Sequence, residues 1–145
     1  MEKEITLIND LAEVSRLEAF VEELGCELQL MPELVMNINL ALEEAIANVI
    51  MYAYPSEKPR DIILKASSNG QQLIFLLTDK GISFDPTQVD DADISLSLEE
   101  RPIGGLGIFL IRQIMNEVSY QRIDNMNQLI MKKNITEGSI LNNID

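Results

Sequence analysis

The stretch ALEEAIANVIMYAYP, residues 41–55, decides the fold because it predicts a helix that is apolar on nearly every side. At about 100° per residue, its apolar positions 42, 45, 46, 49 and 53 share one face, which we expect to pack on a sheet. Glu44, Asn48 and Tyr52 follow one another at every fourth position on the opposite side. The sequence therefore raises the question of what a carboxylate and an amide do on a mostly buried helix.

Glu44 and Asn48 have two interpretations. A carboxylate and an amide stacked one turn apart suit a hydrated divalent cation, since Mg²⁺ keeps several waters and takes few protein oxygens. The alternative is a solvated polar stripe, and the spacing alone favours that alternative.

Composition limits the class of protein. The 145 residues are 46% hydrophobic and 24% charged, which predicts one globular domain over residues 1–145. Without an apolar run of about eighteen residues, no membrane span is expected. The N-terminal MEKEITLIND lacks the pattern of a secretory signal, and the single cysteine, Cys26, fits a reducing compartment. We therefore expect a cytoplasmic protein.

The charge distribution excludes several functions. Eleven basic and 24 acidic residues give a net charge of −13, and no basic stripe is present for a nucleic-acid duplex. There is no histidine, so this chain can form neither a Ser-His triad nor a His-zinc site nor a phosphohistidine.

The order of hydrophobic patterns predicts β-α-α-β-β-loop-α-β-β. Asn69-Gly70 and residues 124–127 mark two hairpins. Pro32 opens the second helix, Gly25 is a candidate stop for the first, and residues 106–118 form the third. Strand pairs interleaved with helices indicate an α+β two-layer sandwich, with a mixed sheet and the helices on one face.

Two further motifs carry polar or glycine residues at element ends. In LIFLLTDKG, Asp79 ends an apolar strand and Gly81 follows, so that a carboxylate can accept from a ligand amino group while the backbone approaches a flat ring. In RPIGGLGIFLIRQI, Gly104, Gly105 and Gly107 lead into a helix, where free N–H groups bind anions. Each motif alone is more common as an ordinary turn.

In this order, the three motifs resemble the ATP-binding domain of the GHKL superfamily, over about residues 30–135. That superfamily includes gyrase, heat-shock chaperone, histidine kinase and mismatch-repair ATPases, and the resemblance implies the Bergerat ATP-binding fold. Three segments, EEAIANVIMYAYP, DKGISFDP and GGLGIFLIRQIMNEVSY, are most similar to the anti-sigma factor serine/threonine-protein kinases.

The resemblance implies a role for each residue. Asn48 would be the ligand of Mg²⁺, and Glu44 would be the general base that deprotonates the attacking serine. Asp79 would read the amino group of the adenine of ATP, and Gly81 would pack under the adenine.

The remaining implied residues belong to the phosphate end and the lid. Gly104, Gly105 and Gly107 would wrap the phosphates, and residues 85–104 would form the ATP lid. Arg101, the only basic residue of this lid, is the candidate contact to the γ-phosphate. Two positions depart from the pattern: Ser83 replaces a frequent glycine, and Tyr52 replaces a frequent histidine.

The expected function is an ATP-dependent serine protein kinase. It would act as an anti-sigma factor-like regulator that phosphorylates a small anti-anti-sigma (STAS-type) protein, with a sigma factor as second partner and no contact with nucleic acid or membrane. A homodimer follows from the resemblance alone. The alternative is an ATP-binding switch without phosphotransfer. A third interpretation is the detached catalytic half of a histidine kinase, but this sequence lacks the paired dimerisation helices and the phospho-acceptor histidine.

Overall fold

The computed structural model describes residues 1–54, 58–88 and 105–141. Its strands are β1 (Glu2–Ile8), β2 (Asp61–Ser68), β3 (Gln72–Asp79), β4 (Glu117–Ile123) and β5 (Met126–Asn134). Its α-helices are α1 (Val14–Leu28), α2 (Pro32–Asn48) and α3 (Gly105–Ile114). The predicted order of elements is therefore confirmed.

The five strands form one sheet in the order β1-β2-β3-β5-β4. Every neighbouring pair in that order is antiparallel. The predicted α+β class is confirmed, but the expectation of a mixed sheet was wrong in this part of the chain. β3 and β4 run in the same direction, yet β5 lies between them, so they do not form a parallel pair.

Both predicted hairpins are present. β2 and β3 are joined through Asn69 and Gly70, and Gly70 has a φ of 87°, which only glycine adopts readily. β4 and β5 are joined at Asp124 and Asn125, whose φ angles of 52° and 62° suit the type of tight turn that matches strand twist.

The core lies between one face of the sheet and the helices. Along β3, Leu73, Phe75 and Leu77 are at most 1% exposed and alternate with half-buried residues. The same inward phase reaches Asp79 at the end of β3, and Asp79 pairs in register with Asn127 of β5. Asp79 and Asn127 therefore continue the inward-facing rows of apolar side chains at one end of the sheet, on the face that packs against the helices.

α2 is the central helix of the helical layer. Pro32 stands in its first turn, as expected, and the helix continues into a wider π-helical turn, Val49–Ala53. The combined segment Pro32–Ala53 is long and apolar enough to cross a membrane by length and composition alone. A core helix meets the same test, and Ile38, Leu42 and Ala45 are at most 1% exposed within the domain.

Two predicted helix ends were wrong. α1 continues through Gly25 to Leu28, and Gln29 supplies the left-handed cap with φ 54°. A methyl group at Gly25 would lie 2.6 Å from Cγ2 of Val35, so this glycine permits the close approach of α1 and α2. α3 ends at Ile114 rather than at residue 118, because residues 117–123 pair with β5.

Candidate functional site

The polar face of α2 meets the beginning of α3. Gly107, in the first turn of α3, is buried and lies beside two of the predicted residues. A methyl group built on it would come within 3.1 Å of Oε2 of Glu44 and 3.6 Å of Oδ1 and Nδ2 of Asn48. The structure thus brings together the carboxylate, the amide and a helix N-terminus.

Asn48 is only 4% exposed, yet its amide makes no hydrogen bond within the described part of the chain. Buried side-chain amides are normally paired, because an unpaired one loses its contacts with water. The side chain lines a cavity shared with Asp79. An amide oxygen held open in this way fits a ligand that arrives from solvent.

Asp79 occupies the other end of that cavity and is 3% exposed. Its Oδ1 accepts hydrogen bonds from the backbone N of Gly81 and from Nδ2 of Asn127, both at 2.9 Å. Burial raises the pKa of Asp79, and these two hydrogen bonds, followed by the charges of Arg122 and Arg60, oppose that rise. Oδ2 receives no hydrogen bond from the described residues, so it remains an acceptor for a ligand.

The cavity between Asn48 and Asp79 measures about 20 Å³, which is room for about one water. Phe84 lines it and stacks on Tyr52, with ring centroids 4.9 Å apart. The hydroxyl of Tyr52 is buried and has no hydrogen-bond partner. A purine is much larger than this cavity.

Gly81 has a packing role that the sequence did not reveal. A methyl group built there would lie 2.3 Å from the carbonyl oxygen of Ala53, which already accepts a hydrogen bond from the N–H of Ile82 at 2.9 Å. Only glycine allows the segment after β3 to dock on the end of the α2 extension. Its expected place under an adenine stays a prediction.

Replacing Gly81 with alanine should lower the free energy of unfolding by about 1–3 kcal/mol, because the new methyl group meets backbone that cannot rotate away. Urea denaturation measures this change. Gly138→Ala is the matched control, since its methyl group would have no neighbour closer than 3.8 Å. Equal effects of the two substitutions would contradict the close-packing argument.

The predicted lid lies only partly within the described residues. At its start, Oδ1 of Asp85 accepts from the N–H of Thr87 at 2.9 Å and from its hydroxyl at 2.6 Å. Arg112 of α3 donates to the carbonyl of Thr87 at 2.7 Å, which ties this turn to the third helix. Residues 89–104, with Arg101 and Gly104, fall outside the described part, and Gly105 is the first residue of α3.

No cluster of three or more Asp, Glu, Cys or His suited to a metal occurs in the described residues. A divalent cation at Asn48 would accordingly take most of its ligands from phosphate oxygens and water. That arrangement fits Mg²⁺, which binds nucleotide phosphates with one or two protein oxygens.

Sequence reasoning missed Asn127, which is 4% exposed and contacts Asp79 directly. A signal was present. In MNQLIMKK, Asn127 has the same alternating phase as Leu129 and Met131, which face the core. A polar residue in an inward phase is uncommon and marks a place where a buried hydrogen bond is needed.

These features define a helix-and-sheet module in which polar residues of α2 and β3 share a cavity close to the beginning of α3. The sequence matches the histidine kinase-like ATPase domain over residues 7–133, and the chain belongs to this family. The predicted resemblance and the predicted fold are therefore confirmed.

Three proteins of known name are similar to this chain in sequence. Serine/threonine-protein kinase BtrW of Bordetella bronchiseptica is 31% identical over 94 residues, which are 65% of this chain and 66% of that protein. Serine-protein kinase RsbW of Listeria monocytogenes is 28% identical over 115 residues, or 77% of this chain and 73% of the relative. The RsbW of Bacillus cereus is 28% identical over 102 residues, or 68% of this chain and 63% of the relative. The chain thus spans about two thirds of the length of these relatives.

Solved structures show the same fold. The RsbU and RsbW domains of Rv1364c from Mycobacterium tuberculosis superpose with a TM-score of 0.67 at 12% identity, over 98% of this chain and 35% of that one. The histidine kinase AdeS of Acinetobacter baumannii gives a TM-score of 0.50 at 18% identity, over 90% and 67% of the two chains.

Proposed function

We propose that this protein is an ATP-dependent serine protein kinase that acts as an anti-sigma factor-like regulator and phosphorylates a small anti-anti-sigma (STAS-type) partner. The observation that carries the proposal is the position of Glu44. Its carboxylate lies beside Asn48 and Gly107, where a carboxylate is of little use for ATP binding alone but is well placed to accept a proton.

Different residues of the cleft bind different parts of Mg²⁺-ATP. Oδ2 of Asp79 accepts a hydrogen bond from the adenine amino group, and the first N–H groups of α3, at Gly105 to Gly107, bind the phosphates. Asn48 would hold Mg²⁺ through its amide oxygen. When bound, this ion offsets the charge of the phosphates.

Glu44 acts on the incoming nucleophile. It accepts the proton of the partner's serine hydroxyl as the serine oxygen forms its bond to the γ-phosphorus and the bond to the leaving ADP breaks. The products are a phosphoserine, ADP and a protonated Glu44, which then returns its proton to water. Arg101, if it reaches the γ-phosphate, adds the positive charge that this transfer requires.

The proposal also includes the oligomeric state, the partners and the location of the protein. The sequence resemblance implies a homodimer that also binds a sigma factor, in competition with the anti-anti-sigma protein. The net charge of −13 and the absence of a basic stripe favour protein partners over nucleic acid. The single cysteine supports a cytoplasmic location.

The test is transfer of γ-labelled phosphate from ATP to an anti-anti-sigma protein encoded beside this gene. Mg²⁺ should be required, and mass spectrometry should locate the label on one serine. Replacing that serine with alanine in the partner is the control. Tight ATP binding without any transfer would instead support the switch alternative, in which the nucleotide only controls partner binding.

A further inference from the structure

Asn127 is one of three buried polar residues in the described part of the chain, together with Asn48 and Asp79. The other two have roles in the proposed nucleotide site. Asn127 stands at the beginning of β5, directly opposite Asp79 in the strand register. Its surroundings show what it does there.

Both the nitrogen and the oxygen of the Asn127 amide form hydrogen bonds. Its Nδ2 donates to Oδ1 of Asp79 at 2.9 Å and to the carbonyl of Ile82 at 2.7 Å. Its Oδ1 accepts from Tyr120 and Arg122 of β4 and from the N–H of Phe84. Reversing the amide would place its N–H groups against three donors and its oxygen against a carboxylate. The orientation is therefore fixed by its partners.

Fixing Asn127 also fixes Asp79. Rotation of the carboxylate would break two hydrogen bonds to Oδ1, from Asn127 and from the N–H of Gly81. Oδ2 receives neither of these hydrogen bonds, and Asp79 lines the cavity that it shares with Asn48. The oxygen that is left over is the one available to a base.

We propose that Asn127 is a positioning residue for purine selection: by anchoring Oδ1 of Asp79, it presents Oδ2 to the 6-amino group of adenine. This inference rests on the proposed function, because it assumes that Asp79 reads adenine. Asn127 also lines the cavity that Asp79 shares with Asn48, and its role there is to hold Asp79.

Asn127 also affects the charge of Asp79. Burial raises the pKa of Asp79, and the hydrogen bond from Asn127 is the main effect that opposes the rise, ahead of the Gly81 N–H and the charges of Arg122 and Arg60. Loss of the Asn127 amide should therefore leave Asp79 protonated to a higher pH. The ionisable groups on the surrounding elements are Glu44 of α2, Tyr52 and Tyr54 in the turn after α2, Arg60 and Asp61 at the start of β2, Lys80 after β3, and Tyr120 and Arg122 of β4.

The experiment measures the affinity of Asn127→Ala for ATP and for purine riboside triphosphate, which lacks the 6-amino group, by calorimetry from pH 4.5 to 8. The preference for ATP should fall by about tenfold at pH 7. The acid limb of ATP binding should move to higher pH. A residue that only braces the hairpin would move neither quantity.

Asn116→Ala is the matched control. Asn116 Oδ1 accepts from the N–H of Asn134 at 2.8 Å, at the opposite end of the same hairpin and away from Asp79. It should lower stability without changing purine preference or the pH profile.

Asn127→Asp covers the case in which the alanine variant does not fold. It keeps the size and the accepting oxygen but sets a carboxylate oxygen against Asp79, and two carboxylates this close do not both ionise near neutral pH. Its ATP binding should be weaker at pH 7 and its acid limb shifted upward. Wild-type purine preference and pH profile in a folded Asn127 variant would overturn the inference. Equal affinity of the wild-type protein for the two triphosphates would overturn both this inference and the adenine role of Asp79, whereas failure to bind ATP at all would overturn the proposed function.

Discussion

Replacing Glu44 with glutamine should slow phosphoryl transfer by on the order of 10²–10⁴ while leaving ATP affinity within a few fold. Glutamine keeps the size and the position beside Gly107 but cannot accept a proton. Single-turnover transfer of γ-phosphate to the partner's serine measures the rate, and calorimetry measures the affinity.

Two further variants separate a catalytic effect of Glu44→Gln from an effect on nucleotide binding. Glu43→Gln is the control, because this neighbouring carboxylate accepts a hydrogen bond from Asn39 at 2.9 Å instead of facing α3. It should transfer phosphate at the normal rate. Asn48→Ala should instead weaken Mg²⁺-ATP binding itself. A normal rate in Glu44→Gln would remove the general base from the proposal and favour the switch.

Asp79→Asn should weaken ATP binding by about 10- to 150-fold, equivalent to roughly 1.5–3 kcal/mol for a hydrogen bond to a charged group. The substituted amide can keep accepting from Gly81 and Asn127 through its oxygen, and its N–H₂ group then faces the adenine amino group. Two donors cannot pair. The wild-type protein should also discriminate against GTP, whose ring carries an oxygen at that position; equal affinities for ATP and GTP would contradict the adenine assignment.

The same substitution should stabilise the ligand-free protein near neutral pH. Because burial raises the pKa of Asp79 in the folded state, folding disfavours its charged form. The contribution of Asp79 to stability is fully present below its unfolded pKa and is lost as pH rises through the folded pKa. The melting temperature of Asp79→Asn should therefore exceed that of the wild type at pH 7, with the difference shrinking as the pH falls. Asp61→Asn, an exposed aspartate on the adjacent strand, is the control.

The sequence predicted those features that depend on local pattern. Apolar periodicity indicated the helices and hairpins. The spacing of four residues between Glu44 and Asn48 placed both on one face of the helix, and in the structure both lie beside Gly107. Asp79 was recognisable because an apolar strand ends in a carboxylate.

Features that depend on contacts between distant segments were missed or misread. Gly25 resembles a helix stop, but its reason is the side chain of Val35 on another helix. Gly81 is needed because the carbonyl of Ala53 lies against it, which no local pattern encodes. The sheet order places β5 beside β3, and only that pairing brings Asn127 to Asp79.

The central place of β3 in the sheet sets how its amides exchange with deuterium. β3 is bonded to β2 on one side and β5 on the other, whereas β1 and β4 each have one neighbour. Amide protons of a doubly paired strand exchange only when the whole domain opens, while edge strands exchange through smaller openings. The segment that ends in Asp79 should thus be among the slowest to exchange in the ligand-free protein, so a ligand that binds at Asp79 meets backbone that is already ordered.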